Sequence, residues 1–332
     1  MEKINLPDRT PRSEPQTTTG TNTYPIGIVI PTYNRIENLI TCLQHLERQT
    51  FKDFEVIIVD DGSSDGTRPT MEKYLKTSPF PCRYVYQPNS GPARARNQAI
   101  QLLDSKVCLL LGDDIFALPD LVRVHLDHHL LHTEEEAAAI GLIQWSRNGQ
   151  KVTQFMRWLD DGRQFSYNDL FRGVAPSWKH FYTSNLSLKT GQLRRYPFDE
   201  RFRKAAMEDI ELGYRLAMHQ ALRMTFLPTA IGEHFHPTSF RQACRRMIGV
   251  GSSAYLFGEI WPEHRPRPLS PRKKKIVHLL LKHPWMVPCL ASVADLAVRL
   301  CGPNKLTEKA LTLHSCLGHE QAAAHGGMPA KK

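Results

Sequence analysis

Apolar residues in the first part of the chain come in short unbroken runs, each followed by a stretch where they recur every three or four positions. PIGIVIP from Pro25, FEVIIVD at 54–60, RYVYQ at 83–87 and KVCLLLGDD at 106–114 have strand length and strand composition. Runs without polar alternation suit strands buried on both faces. Between them, Ile36, Leu39, Ile40, Leu43 and Leu46 mark one face of a helix. Asn34, with Glu37 three residues on, predicts its N-cap and a capping box. A second helix is predicted around 68–76. A third lies within NSGPARARNQAIQLLD, a loop feeding a helix, where Pro92 suits the first helical position. Strands alternating with helices at this spacing predict an α/β fold with a parallel sheet and right-handed crossovers.

The pattern changes at both ends. Residues 1–24 are polar and rich in Thr and Pro, which predicts a disordered leader, and no apolar core of a signal peptide stands there. The Pro-rich basic segment RPRPLSPRKKK at 265–275 precedes two apolar stretches, IVHLLL and WMVPCLASVADLAVRL. Lys282, Pro284, Pro288, Asp295 and Arg299 interrupt them, too often for a comfortable membrane span. Helices lying in a membrane interface and helices packed on the body are both open readings. Charge sharpens the division. The net charge is +10, and residues 264–332 hold 12 Lys+Arg against three Asp+Glu, leaving the rest nearly neutral. Such a tail attracts anionic surfaces, whereas a near-neutral body without a basic stripe disfavours a nucleic-acid groove. Seven cysteines, an odd number with no C-x-x-C, argue against a disulfide framework or zinc module and suit a reducing cytoplasm.

Three predicted strand ends carry polar residues: Pro31-Thr32-Tyr33-Asn34, Asp60-Asp61-Gly62-Ser63 and Gly112-Asp113-Asp114. Ligands of open parallel sheets sit outside that edge. A nucleoside diphosphate-sugar would match it, because its diphosphate calls for a divalent cation on carboxylate oxygens, and Tyr33 with Asp60 or Asp61 offers stacking and acceptors to a base. Asp113-Asp114 equally reads as a cap for a helix that Ala117-Leu118-Pro119-Asp120 begins. Glu208-Asp209, at a predicted helix start, is either a general base with its neighbour or a pair stabilised by the helix dipole. His234 and His236 face one side of a strand, as metal ligands or as polar residues at a domain edge. His125, His128, His129 and His132 have helical spacing and read as a structural face. Trp158, Phe165 and Tyr167 suit the core slightly better than sugar stacking, and Arg241, Arg245 and Arg246 a solvated helix face better than a diphosphate.

Taken in order, IGIVIPTYNRIENLITCLQHLERQTFKDFEVIIVDDGSSDGT, NSGPARARN, LLLGDDIFALPD, FYTSNLSLKTGQLRRYPFDERF, MEDIELGYRL and HFHPTSF resemble inverting family 2 glycosyltransferases over roughly residues 25–240. The resemblance implies a GT-A fold, with a Rossmann-like, mainly parallel sheet flanked by helices, at 25–262. A basic linker and C-terminal amphipathic helices follow at 263–332. It implies nucleotide binding, commonly of uridine type, by Pro31, Tyr33, Asp60, Asp61, Arg96 and Asp113, and a donor-sugar pocket at Thr183, Ser184 and Asn185. Gly112-Asp113-Asp114 stands where the family has D-x-D, so the first carboxylate is missing and Asp114 is the implied ligand of Mg²⁺ or Mn²⁺. His234 or His236 would add to that metal. Asp209 is the implied catalytic base with Glu208 in support, acting in a single in-line displacement onto a hydroxyl of a saccharide or lipid-linked acceptor. Work on cell-surface polysaccharide or glycolipid at the inner membrane face, with residues 265–332 on an anionic surface, would follow.

Two other functions compete. A sugar nucleotidyltransferase would carry a Gly-rich phosphate loop and a lysine where this chain has PTYNR. A non-catalytic nucleotide-sugar or carbohydrate-binding module would have no use for a second acidic pair. No Walker A, H-E-x-x-H or G-x-S-x-G motif occurs.

Overall fold

The computed structural model describes residues 24–324, so the expected leader lies, but for Tyr24, outside the described residues. The first half alternates β1 (Tyr24–Thr32), α1 (Ile36–Glu47), β2 (Phe54–Asp60), α2 (Thr67–Tyr74), β3 (Cys82–Tyr86), α3 (Pro92–Leu102) and β4 (Ser105–Leu111). Then come a short β5 (Ile115–Ala117), α4 (Leu121–Leu131), β6 (Ala137–Trp145), and the small helices α5 (Gln154–Asp160) and α6 (Tyr167–Phe171). β7 (Asn185–Lys189), α7 (Thr190–Arg195), α8 (Glu208–Met218) and β8 (Arg223–His234) complete the sheet region. Four helices close the chain: α9 (Phe240–Ile260), α10 (Pro271–Lys282), α11 (Met286–Cys301) and α12 (Lys305–Ala324).

All eight strands form one sheet in the order β3-β2-β1-β4-β7-β6-β8-β5. β3, β2, β1 and β4 are mutually parallel, as their unbroken apolar runs predict, and every residue of β2 is buried. β7 runs antiparallel to both β4 and β6, β8 returns parallel to β6, and β5 is antiparallel to β8. The sheet is therefore mainly parallel but reverses at β7, and the ends that carry function stay on one edge. The carboxyl ends of β1, β2, β4, β6 and β8 lie there with the start of β7.

Two local expectations change. α1 begins at Ile36 with Arg35 in the N-cap place, and the Arg35 side chain does not cap it. Asn34 instead adopts a left-handed backbone (φ 52°), and its Oδ1 accepts from the Ser64 backbone N–H at 2.7 Å. Asp65 takes the orphan N–H of Ile36 at 3.0 Å. The cap thus comes from the turn after β2, a long-range partner that spacing along the chain does not display. Asp113-Asp114 caps no helix either, for α4 starts at Leu121 with Asp120 before it.

The C-terminal helices pack on the body through α9. Phe240 and Cys244 of α9 join Trp145, Phe155 and Met156 from the sheet side and Ala291 and Val298 of α11 in one apolar cluster. Further along, α9 and α12 approach to backbone contact. A Cβ on Gly251 would lie 1.8 Å from the Ser315 carbonyl oxygen, and one on Gly318 would lie 1.8 Å from that of Ile248. Gly251→Ala is therefore expected to destabilise by about 1–3 kcal/mol or more, since backbone cannot yield as a side chain tip does; thermal unfolding monitored by circular dichroism checks it. No single helix among the described residues is long and apolar enough to cross a membrane.

Candidate active site

The first acidic pair ends the turn after β4. Thr32, the last residue of β1, donates from Oγ1 to Asp113 Oδ2 at 2.8 Å. Arg35 Nη1 reaches both carboxylates, 3.1 Å from Asp113 Oδ1 and 2.7 Å from Asp114 Oδ2. On the other side of Asp114 lie His234 Nε2 at 3.5 Å and His236 Nδ1 at 3.4 Å. The backbone explains the meeting: Ile115 pairs with His234 across β5 and β8, and the Phe235 N–H donates to the Asp114 carbonyl at 2.8 Å. Burial raises the Asp113 carboxyl to about 6, with the charge of Asp114 adding and Arg35 opposing. Burial pushes Asp114 up as well, but His234, His236 and Arg35 outweigh it and hold the group well below the usual carboxylate range.

One donor atom each from Asp114, His234 and His236 lies within 4.8 Å of the others. A carboxylate oxygen and two imidazole nitrogens are a fitting set for a divalent cation, and two imidazoles favour Mn²⁺ over Mg²⁺, which prefers oxygen. Around them, Trp145 stacks on His234 (centroids 5.0 Å, 9° between planes) and its Nε1 donates to the Met156 carbonyl. The indole is thereby fixed and holds the imidazole plane.

The second acidic pair opens α8. Met207 precedes it in the left-handed region (φ 68°), a rare conformation for a residue with a side chain, and it turns the chain into the helix. Glu208 is buried and paired with Arg96 of α3, Nη1 to Oε1 at 3.0 Å, across 112 positions of sequence. Arg96 Nε and Glu208 Oε2 are buried and have no hydrogen-bond partner among the described residues. Asp209 is only partly covered. Its Oδ1 accepts from the Ile210 N–H at 2.8 Å, and Oδ2 has no hydrogen-bond partner among the described residues. Burial pushes its carboxyl up to about 7, the charge of Glu208 adds, and Arg96 opposes. Both residues stand in the first turn of α8, where the helix dipole favours a carboxylate, and Met207 before them offers no side-chain cap.

Three contacts tie the segments that carry the pairs to one sheet edge. Gly91 (φ 95°) at the start of α3 lies so close to the loop before α8 that a Cβ there would sit 2.7 Å from Arg203 Cα. The same turn is tied to β2, because Asp61 accepts from the Ser90 and Gly91 N–H groups at 2.8 Å each. On the other flank the Ser184 carbonyl accepts from the Gly112 N–H at 3.3 Å, joining the start of β7 to the first acidic turn.

The family model for glycosyl transferase family 2 matches residues 27–199, more than half of the chain. The chain belongs to glycosyl transferase family 2. Among curated family members, validoxylamine A glucosyltransferase of Streptomyces hygroscopicus subsp. jinggangensis is 32% identical over 229 residues, covering 58% of this chain and 51% of that protein. Chondroitin synthase of Escherichia coli is 34% identical over 102 residues, covering 31% and 15%. The chain spans about half the length of the first curated relatives it matches. Among solved structures, a mannosyltransferase of Pyrobaculum calidifontis in complex with GDP-Man and Mn²⁺ superposes with a TM-score of 0.57 at 18% identity, covering 94% of this chain and 90% of that one. The 1–349 fragment of S. aureus TarS in complex with UDP gives 0.50 at 17%, covering 91% and 92%. The sheet and its flanking helices are a GT-A fold.

Within this family 2 chain the residues picked from sequence divide into three groups. Asp113, Asp114, His234, His236, Glu208 and Asp209 are the two clusters just described. Pro31 and Tyr33 stand at the β1 end, Tyr33 half exposed, with Thr183 and Ser184 before β7. Asp60, Asp61, Arg96 and Asn185 are taken up by the protein itself. Asp60 accepts from Ser63 N–H and Tyr84 Oη, and Arg96 serves Glu208. Asn185 is wholly buried, donating to the Leu142 and Ala230 carbonyls and accepting from His125. Its side chain thus braces β6 and β8 from within the core. His125 and His129 bond Ser187, and burial lowers their pKa to about 4 and about 2, so this helix face is structural. Tyr167 is core, its hydroxyl on the Gly141 carbonyl, whereas Phe165 and Trp158 are partly buried. Arg241, Arg245 and Arg246 are exposed on α9. Arg35 and Trp145 were missed. Arg35 had one signal, its place in the PTYNR segment directly after β1; Trp145 had none beyond ending an apolar strand.

Proposed function

We propose that this chain is an inverting, metal-dependent glycosyltransferase. It would move a sugar from a nucleotide-diphosphate sugar to an acceptor hydroxyl. The observation that carries the reading is Asp209. It is a carboxylate raised to about 7 beside a buried, ion-paired Glu208, on the sheet edge that also holds the Asp114–His234–His236 set. A base with a pKa near the working pH is well matched to taking a proton from a hydroxyl. Asp209 then accepts the acceptor's proton as its oxygen attacks the anomeric carbon, and Glu208, held by Arg96, keeps Asp209 raised. Asp114, His234 and His236 would hold a divalent cation, which would supply charge neutralisation to the departing diphosphate. One displacement inverts the anomeric centre. Pro31, Tyr33, Asp60, Asp61, Arg96 and Asp113 form the nucleotide side, with Asp60, Asp61 and Arg96 shaping its walls. Thr183 and Ser184 line the sugar, with Asn185 fixing their strand from behind.

The donor is proposed to be of uridine type. Solved relatives of this fold hold UDP in one case and GDP-Man with Mn²⁺ in another, which supports a nucleotide-sugar without choosing the base. The acceptor is a saccharide or a lipid-linked saccharide of a cell-surface polymer or glycolipid, reached from the cytoplasmic side. The deciding measurement is donor hydrolysis across UDP-, GDP- and dTDP-sugars, which needs no acceptor. Release of one nucleoside diphosphate is expected, faster with Mn²⁺ than with Mg²⁺ and abolished by EDTA. Absence of hydrolysis with every donor, or full activity in EDTA, overturns the reading.

A further inference from the structure

α10 and α11 present an apolar face that the rest of the protein leaves uncovered. Val293, Leu296 and Leu300 share one side of α11 and are 69%, 57% and 76% exposed, and Trp285, just before the helix, is 68% exposed. Ile276 and Leu279 extend the surface onto α10. The opposite side of α11 is what holds it down: Ala291 and Val298 are buried in the cluster with Trp145, Phe155 and Phe240. The one basic residue of α11, Arg299, is tied to Asp295 at 2.9 Å. α11 is thus anchored by one stripe and offers a second stripe of leucine and valine to its surroundings.

The charge beside that stripe indicates what covers it. Arg272, Lys273, Lys274 and Lys275 form the first turns of α10 and Lys282 ends it, all exposed and without a carboxylate partner among the described residues. A second copy of this chain packed face to face would bring like charges together, whereas an anionic lipid surface meets both the apolar stripe and the cations. α10 and α11 bend by 115° at Lys282–Met286, and neither is long enough to cross a bilayer. That geometry suits helices lying in the plane of an interface, with Trp at its boundary.

We propose that the outer face of α10 and α11 docks this protein on an anionic membrane, with Trp285, Val293, Leu296 and Leu300 entering the headgroup boundary and Arg272–Lys275 on the headgroups. The inner face of α11 shares its cluster with Trp145, which stacks on His234, so the docked face lies one packing layer from the candidate active site. The proposal rests on surface and charge alone and is independent of the reaction assigned to the site.

Flotation of the full chain with phosphatidylcholine vesicles, with and without phosphatidylglycerol, tests it. The wild type is expected to float with the anionic vesicles and far less with the neutral ones, and added salt should weaken the binding. Val293→Ser/Leu296→Ser/Leu300→Ser and, separately, Arg272→Gln/Lys273→Gln/Lys274→Gln/Lys275→Gln should each lower partitioning by about tenfold or more, with unchanged circular dichroism. Both sets lie on exposed positions, so folding is retained. Equal binding to neutral vesicles, unaltered flotation of both variants, or no flotation of the wild type overturns the proposal. So does a wild-type dimer in gel filtration that the serine variant converts to monomer, because a second copy would then own the face.

Discussion

Asp209→Asn is expected to lower kcat by about 10²–10⁴-fold, the usual contribution of a positioned general base, while leaving the affinity for donor nearly unchanged. The asparagine keeps the shape and the acceptor oxygen facing the Ile210 N–H, so α8 has no reason to move. What disappears is the carboxylate oxygen assigned to take the proton. Calorimetric titration of the donor into the variant, beside steady-state kinetics, separates these effects. A variant that turns over within a few-fold of wild type, or one that no longer binds donor, removes Asp209 from the role of base. The pH profile carries the same claim in another form. With the carboxyl at about 7, kcat/KM should climb as pH rises through that value, because only the ionised form accepts a proton. Glu208→Gln deletes the negative neighbour and leaves the Arg96 cation facing Asp209. The acidic limb should therefore move to lower pH.

The parallel half of the fold was legible because a strand buried on both faces must be an unbroken apolar run, and three such runs, those of β1, β2 and β4, stand in the first 114 residues with the half-buried RYVYQ between them. The reversal at β7 was not. NLSLK is five residues with alternating polar positions, and nothing in it says whether the chain runs up or down beside β4. The site was readable to the extent that its chemistry sits at strand ends and helix starts. Asp114, Asp209 and the two histidines are of that kind. Where a polar residue is held by distant groups, sequence cannot say which way it faces. Asn185 follows Ser184 directly, yet its amide turns inward to Leu142, Ala230 and His125, because the sheet gives alternate residues opposite faces. Arg96, expected beside the nucleotide, pairs with Glu208, a partner 112 positions away that spacing along the chain does not display. Asn34 fails as a cap for the same reason, since the turn after β2 supplies a carboxylate first. Arg35 is the reverse case. It stands next to residues that were singled out and was passed over because an arginine after a strand is ordinary until two carboxylates are found within reach of it.

That arginine makes the outcome at Asp114 specific. Asp114→Asn removes the one negative ligand from the set with His234 and His236 and weakens the hold of Arg35, which stays within reach of Asp113. Two neutral imidazoles and an amide are a poor cage for a hard cation, so Mn²⁺ affinity should collapse. A metal ion contributes several kcal/mol to a reaction that expels a diphosphate, and kcat/KM is therefore expected to fall by about 10²–10⁴-fold. Mn²⁺ binding followed by electron paramagnetic resonance gives a readout apart from activity. The two variants should fail differently: Asp209→Asn binds both Mn²⁺ and donor without turning over, whereas Asp114→Asn loses Mn²⁺ and with it the grip on the diphosphate. Mn²⁺ affinity unchanged by Asp114→Asn would mean that the cation, if one binds, sits elsewhere, and that Asp114 serves only to anchor Arg35 against the end of β1.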